Sequence, residues 1–292
     1  MFNYFFGTKP SPSQYMKPYR NFARFTYRSD FEPIPGTRIT SDSGWGCCYR
    51  CCQGFLCNYI IRINENDSEI MKKCFGNKKI FELFMDLLSS EFSIQNLAYE
   101  NKKLFNLQPG KWGKPSQIAH AISEIMKRNG LSSYVSLNCI IEPKVIKSKS
   151  YPILLMISLM CGLNSLDPSF GPFLKYVFSL KENLGIVSGY YGSAYYIVDI
   201  NESDEVLYYD PHTVNKAVKS EKQFDSFFEP QLHRMKLSKL NPSTLICFEC
   251  IDEESTNLLI KNLTEFPNSP ISYTDISEEE MNKILEINDI DF

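Results

Sequence analysis

Histidine is scarce in this chain: only His120, His212 and His233 occur among 292 residues. Chemistry that needs an imidazole must use one of these three. Tryptophan is scarcer still, at Trp45 and Trp112 alone. An excess of either charge is also missing, because 31 Lys and Arg face 34 Asp and Glu and leave a net charge of -3. That balance gives no electrostatic footprint for DNA or RNA, so no nucleic-acid partner is expected. Long apolar runs are absent. Tyr151 to Leu159, interrupted by Ser158, falls far short of the ~20 residues of a membrane-spanning helix. The start, Met-Phe-Asn-Tyr-Phe-Phe-Gly, lacks the basic and apolar regions of a secretory signal, so the cytosol is the expected compartment. No internal repeat is visible.

Cysteine, by contrast, is plentiful, with ten residues. A disulfide scaffold belongs to short secreted chains, so reduced thiols are expected here. Cys48/Cys51 and Cys247/Cys250 each have the C-x2-C spacing of a zinc site. The first pair lies on an apolar helical stripe and the second within a strand, where alternate residues face opposite ways. No metal and no cofactor are therefore expected. With 43% hydrophobic residues, the chain can bury a sizeable core as one large domain.

The chain is organised around Thr40 to Gln53, Thr-Ser-Asp-Ser-Gly-Trp-Gly-Cys-Cys-Tyr-Arg-Cys-Cys-Gln. From Cys48 through Cys51, Cys52, Phe55, Leu56, Tyr59 and Ile60 the apolar spacing predicts a buried helix ending near Asn64. Gly44 and Gly46 permit a tight turn before it, which Asp42 or Ser43 can tie down. Cys47 thus falls in the first turn of the helix. Free N–H groups and the positive end of the helix dipole favour a thiolate there, and the same N–H groups can hold an oxyanion.

Before the turn, Phe22 to Arg28 reads as a short aromatic strand. Tyr27 on it is either core, which the residues alone favour, or a hydroxyl aimed at an oxyanion. After the central helix come a charged stretch, an amphipathic helix over Ile80 to Leu88, and an irregular polar segment from Glu91 to Gly110. Trp112 stands in the turn Gly110 to Pro115, where it either caps the core or walls a groove. Ser116 to Arg128 then predicts a helix closed by Gly130. Tyr134 to Leu137, Ile153 to Ser158, Ala194 to Ile200, Val206 to Tyr209 and Thr244 to Cys250 read as strands. Helices are also expected over Phe170 to Leu180 and Gln223 to Phe228. Helices first and strands second predict an α+β fold with one mainly antiparallel sheet.

The domain reading is an N-terminal arm over 1–18, a main domain over 19–270 and an acidic, mobile tail over 271–292. Tyr273-Thr274-Asp275-Ile276 has the form aromatic-x-x-aliphatic ahead of acidic residues. Tyr273 and Ile276 would fit two pockets if the segment added to a partner's edge strand.

His120 falls in a predicted helix and His233 near a basic segment. His212 lies in Tyr208-Tyr209-Asp210-Pro211-His212-Thr213, at the end of a strand. Residues two apart share a face of extended backbone, which sets Asp210 beside His212. The carboxylate would fix the imidazole tautomer and leave the other nitrogen for Cys47.

Taken together these segments resemble the autophagins, cysteine proteases that process and delipidate ubiquitin-like modifiers of the LC-three and GABARAP class. The resemblance is carried by Phe25 to Arg28, Thr40 to Cys47, Arg50, Gln53, Trp112, Leu184-Gly185-Ile186, Ser193-Ala194, Asp210 to Thr213, Arg234-Met235 and Leu240 to Ser243. It implies a papain-like fold in which the helical part carries the nucleophile and the sheet carries Asp and His. It implies Cys47 as nucleophile, His212 as general base and acid, Asp210 as its orienter and Tyr27 in the oxyanion hole, reversing the core reading. Trp112 would wall a slot for the substrate tail. The loop Ser188 to Tyr195, with Gly189, Tyr190 and Tyr191, would gate it. That loop departs from the family's usual Gly-Gly-Lys-Pro-Asn-Ser-Ala-His. The implied partner is a modifier of that class, met transiently on membranes that bear its lipidated form, by a monomeric enzyme. The segment Cys-Cys-Tyr-Arg and the Asp-Pro-His also resemble proteases specific for the ubiquitin-fold modifier. A scaffold that binds a ubiquitin-like protein without turnover is the non-enzymatic alternative.

Overall fold

The computed structural model describes residues 23–190, 192–228 and 232–274. The expected arm at 1–18, Tyr191, and Ile276 with the rest of the acidic tail lie outside the described residues.

The central helix α1, Cys47–Asn66, is 20 residues long and buried on nearly every side. Its apolar stripe accounts for one face. The opposite face is polar and still buried, because Arg50 donates to Asp42 at 2.7 Å and to Gln53 at 3.1 Å. Arg50 also pairs with Asp86 at 2.9 Å. A buried cation is tolerated where carboxylates and hydrogen bonds surround it. Gly54 lets the helix meet the sheet, since a Cβ there would lie 2.7 Å from the Tyr196 ring.

Four further helices complete the first half and the turn into the sheet: α2 (Ser68–Phe75), α3 (Ile94–Phe105), α4 (Pro115–Arg128) and the short α5 (Pro143–Lys147). Two of these correct the sequence reading. The charged stretch after α1 forms α2, capped by Asp67 accepting from the Glu69 N–H. The polar segment read as irregular forms α3, whose Gln95, Glu100 and Asn101 are buried. Gln95 donates to the Asp86 carbonyl and Asn101 to the Tyr49 hydroxyl, each at 2.8 Å. Polar side chains that donate inside the core erase the apolar period on which such a reading depends. The expected helix from Ile80 is only a 3-10 turn, Ile80–Phe84, and the segment Glu221–Phe227 is likewise 3-10.

The strands are β1 (Tyr27–Ser29), β2 (Ser132–Ser136), β3 (Ile140–Ile141), β4 (Ile153–Met160), β5 (Asn183–Tyr190), β6 (Ser193–Ile200), β7 (Glu205–Tyr209), β8 (Val214–Lys216), β9 (His233–Lys236), β10 (Ser243–Cys250) and β11 (Ser272–Tyr273). Seven of them form one sheet in the order β2-β4-β10-β5-β6-β7-β9. Every neighbouring pair is antiparallel except β2 with β4. Residues alternate along the strands, so Leu154 and Met156 face the α1 layer while Leu155 and Ile157 face a second core. Helices α6 (Gly171–Ser179) and α7 (Glu253–Thr264) cover that second side. The result is helices on both faces of a mainly antiparallel sheet, the papain-like α+β arrangement expected.

Two small ribbons flank the sheet. β1 runs parallel to β8, with Tyr27 opposite Val214. β11 runs parallel to β3, with Tyr273 opposite Ile141. Ile271 is buried in the second core. Residues 271–274, assigned to the tail by sequence, are thus seated on the domain.

Candidate active site

Cys47 is the first residue of α1, and no side chain caps the helix N-terminus. The turn before it is shaped by Asp42, whose carbonyl accepts from the N–H groups of Trp45 at 3.2 Å and Gly46 at 2.8 Å. Its carboxylate accepts from the Arg28 N–H at 2.6 Å and from Arg50. Gly46 is required in this turn, because a Cβ would sit 2.4 Å from Asp42 Oδ2. The buried carboxylate therefore ties β1 to the start of α1.

β7 ends at Tyr209 and delivers Asp210, Pro211 and His212. His212 Nδ1 lies 2.5 Å from Asp210 Oδ1, and the His212 backbone N–H donates to the same oxygen at 2.9 Å. Both partners are about half-buried. β1 and the residues just before it hold the segment from the side: Arg24 donates to the Asp210 carbonyl at 3.2 Å, and the Tyr27 N–H to the Pro211 carbonyl at 2.8 Å. The Tyr27 and His212 rings meet edge to face at 5.3 Å.

These elements converge on the Cys47 sulfur. Burial by itself pushes the thiol up, but hydrogen bonding to His212, to the Ala194 backbone and to Tyr27, together with the imidazole charge, holds it below the ordinary thiol value. For His212, burial opposes the charged form. Hydrogen bonds and charge from Asp210 and Cys47 outweigh it and raise the imidazole to about 9. Burial would raise Asp210, yet its hydrogen bonds to His212 keep it below the ordinary carboxylate value. Tyr27 is pushed well up, by burial and then by the Cys47 charge, so its hydroxyl stays a donor. Neighbouring Cys51 is pushed well up by burial. The arrangement thus favours charge separation at one cysteine, a thiolate beside an imidazolium.

A cleft of about 150 Å³ opens beside Cys47, lined among others by Trp45, Trp112, Gly189, Gly192, Asn241 and Ser243. Trp112 is 57% exposed and does not cap the core. Its Nε1–H donates to the Gly44 carbonyl at 2.6 Å, which fixes the ring as a wall. Gly192, with φ +76°, packs directly on that ring, since a Cβ would lie 2.6 Å from its edge. The Gly189 carbonyl accepts from Asn241 at 2.7 Å. Tyr190 does not line the cleft; the Lys239 ammonium lies 6.0 Å over its ring.

Sequence reasoning gave no role to two groups at the site. One is the Ala194 N–H facing Cys47, a main-chain donor that no residue type announces. The other is Tyr195, whose ring meets His212 at 5.7 Å, on the imidazole that Tyr27 also flanks, and Tyr208 at 4.5 Å. Tyr195 lies on β6, and its place in the segment Ser188 to Tyr195 was the only available signal. His120 on α4 lies with its ring tilted 5.8 Å from that of Phe105, and His233 stacks on Tyr208 at 5.6 Å. Tyr273 of the proposed partner motif is exposed on β11. Among the described residues no group of three or more His, Cys, Asp or Glu is placed to hold a metal.

Comparison with known proteins identifies the family. The peptidase C54 catalytic domain matches residues 12–262. The chicken protein named cysteine protease ATG4A is 28% identical over 280 residues, covering 78% of this chain and 72% of its own. The Schizosaccharomyces pombe protein named probable cysteine protease atg4 is 28% identical over 249 residues, covering 83% and 74%. A crystal structure of UfSP from C. elegans aligns with a TM-score of 0.36 at 14% identity, over 79% of this chain and 34% of that one. The match across most of the chain, around a cysteine set at a helix start beside an Asp–His pair, places this chain in the peptidase C54 family of cysteine proteases.

Proposed function

We propose that the chain is a cytosolic thiol protease that cleaves after the C-terminal glycine of an autophagy ubiquitin-like modifier, both maturing the precursor and releasing the modifier from lipid. The observation that carries this reading is the alignment of Asp210, His212 and Cys47 with the Tyr27 hydroxyl at the mouth of a narrow cleft.

In this mechanism the Cys47 thiolate attacks the glycine carbonyl carbon, a C–S bond forms, and the carbonyl π pair moves to oxygen. The oxyanion is held by the Tyr27 hydroxyl and the Cys47 N–H, donors that cost no reorganisation because β1 and α1 already fix them. Collapse breaks the C–N bond. The departing amine, from peptide or phospholipid headgroup, takes the proton from His212 Nε2 and leaves a thioester. Water then attacks the thioester as neutral His212 removes its proton. The second collapse returns the thiolate to the imidazolium and frees the glycine carboxylate. Asp210 holds the imidazole through Nδ1 throughout and is not itself protonated.

The slot accounts for a glycine requirement. Trp112, with Gly192 packed on its ring, walls one side of the cleft that Gly189 also lines, and a substrate Cβ would meet the indole. A folded modifier body also has a landing place. Leu163 is 92% exposed and Met160 58% exposed, and Met160 lies directly across from Ser243, which lines the cleft.

The test is product mass. Wild type, and not Cys47→Ala or His212→Ala, should cut a precursor extended past its glycine directly after that residue, while both variants still bind it. Binding by all three without any cleavage would make the chain a scaffold.

A further inference from the structure

Two stretches beside the cleft carry no exposed acid. Between Pro33 and Cys47 the only acidic residue is the buried Asp42, and between Asn101 and Ser123 there is none. The same stretches hold five bases, Arg38, Lys102, Lys103, Lys111 and Lys114, on a chain whose net charge is -3. Exposed charge on these two stretches is thus of one sign.

The two stretches are joined in space. Gly36 lies against Lys102, whose Nζ would be 3.9 Å from a Cβ at that glycine, and Gly110 lies against Ile39 in the same way at 3.1 Å. Trp112 reaches across to the Gly44 carbonyl. Glu100, the acid preceding the second stretch, is buried and paired with Arg128 at 2.6 Å and with Lys103 at 3.6 Å, which leaves Arg38, Lys102, Lys111 and Lys114 as the bases of the face. Large apolar side chains stand among these bases: Leu104 and Phe105 are each 41% exposed at the end of α3, and the indole of Trp112 is exposed at the cleft itself.

Hydrocarbon and indole set among ammonium groups have the chemistry of a lipid interface, where basic residues meet headgroup phosphates and apolar side chains enter the acyl boundary. A polyanion alone would use the charges and leave Leu104 and Phe105 in water. We infer that the surface formed by residues 36–39 and 102–114 docks on anionic phospholipid bilayers. It would bring the cleft wall at Trp112 to the membrane. This inference rests on the proposed release of a modifier from lipid, since a scissile bond at a headgroup can be reached only by a cleft held at the bilayer.

The experiment uses the full chain with phosphatidylcholine vesicles and with mixed phosphatidylcholine–phosphatidylserine vesicles, in parallel with cleavage of a soluble precursor and of modifier conjugated to the mixed vesicles. Wild type should sediment with the mixed vesicles on the order of tenfold more tightly than with the neutral ones, and salt should weaken that binding. The triple variant Arg38→Glu/Lys102→Glu/Lys111→Glu should lose the binding, and Leu104→Ser/Phe105→Ser should weaken it. Both should cut soluble precursor as wild type does while release from vesicles falls about tenfold. Equal binding by wild type and the triple variant, or by both kinds of vesicle, overturns the inference. So does a matching loss on soluble precursor, which would make the face a contact for the modifier. Failure of wild type to cut soluble precursor would instead strike the protease reading and leave the sedimentation result to stand by itself.

Discussion

Arg50 Nε meets Asp42 Oδ2 at 2.7 Å with neither side chain exposed, and Asp86 closes on the same guanidinium at 2.9 Å. The pair stands directly beneath the turn that presents Cys47, so its first effect is to hold the nucleophile's backbone. Arg50→Met strands two buried carboxylates. Breaking a buried pair in this way costs about 3–5 kcal/mol, which urea unfolding would register as a lower midpoint at unchanged slope. A change well under 1 kcal/mol would mean that Asp42 and Asp86 find other partners.

The charge separation at the site predicts a pH profile. Activity should rise at a pH below the ordinary thiol value, because Cys47 ionises early, and fall as His212 loses its proton near about 9. Asp210→Asn removes the carboxylate that holds the imidazolium, so the alkaline limb of kcat/KM should move to lower pH. Stability follows the same protons. His212 binds its proton more tightly when folded, so its contribution is complete below the ordinary imidazole value of 6.5 and is lost as pH rises through about 9. Asp210 is shifted the other way, and its contribution is present above the ordinary carboxylate value and lost in acid. An alkaline limb unmoved in Asp210→Asn would show that the pair does not set it.

In the proposed mechanism Tyr27 supplies a hydroxyl to the developing oxyanion, and in the resting site the same hydroxyl already bonds the Cys47 sulfur. Tyr27→Phe should therefore lower kcat by roughly 10²–10³ with little change in KM. Steady-state kinetics on precursor would separate this from a binding role, in which KM would carry the loss.

Tyr195 flanks His212 together with Tyr27, and its ring needs only its shape to shield the Asp210–His212 hydrogen bond from water. Tyr195→Phe should keep both rate and pH profile. Tyr195→Ala should lower kcat and shift the alkaline limb downward, because solvent weakens the pair. A profile identical in both variants would leave the ring with a packing role alone.

How much of this was legible in the sequence depended on what each group contributes. Cys47 at the start of a helix followed from glycines and the 3.6-residue period, and the Asp210–His212 pair followed from the two-residue repeat of extended chain. Both are local, and local patterns survive in one dimension. The helix over Ile94–Phe105 was hidden because buried Gln95 and Asn101 donate to the Glu32 carbonyl and the Tyr49 hydroxyl, distant parts of the chain that no window along the sequence contains. The Ala194 donor was hidden because every residue but proline has an N–H. Trp112 stood out by rarity, but its choice between core cap and groove wall was decided by one hydrogen bond to Gly44.

The Trp112 wall gives a specificity prediction. Trp112→Ala should admit a precursor ending in alanine before the scissile bond, while cleavage after glycine slows because the tail is less well held. Mass analysis of both precursors would show it, and an alanine precursor still refused would place the discrimination at Gly189 and Gly192.

β1 carries the Tyr27 hydroxyl and, through its pairing with β8 and the Tyr27 N–H bond to the Pro211 carbonyl, also braces the segment that bears the base. The proposed oxyanion donor and the imidazole are therefore braced by one ribbon of two short strands that stands outside the seven-stranded sheet. Such a ribbon frays as a unit. On warming, the enzyme should switch off in one concerted step, at a temperature where the seven-stranded sheet is still intact, and recover fully on cooling.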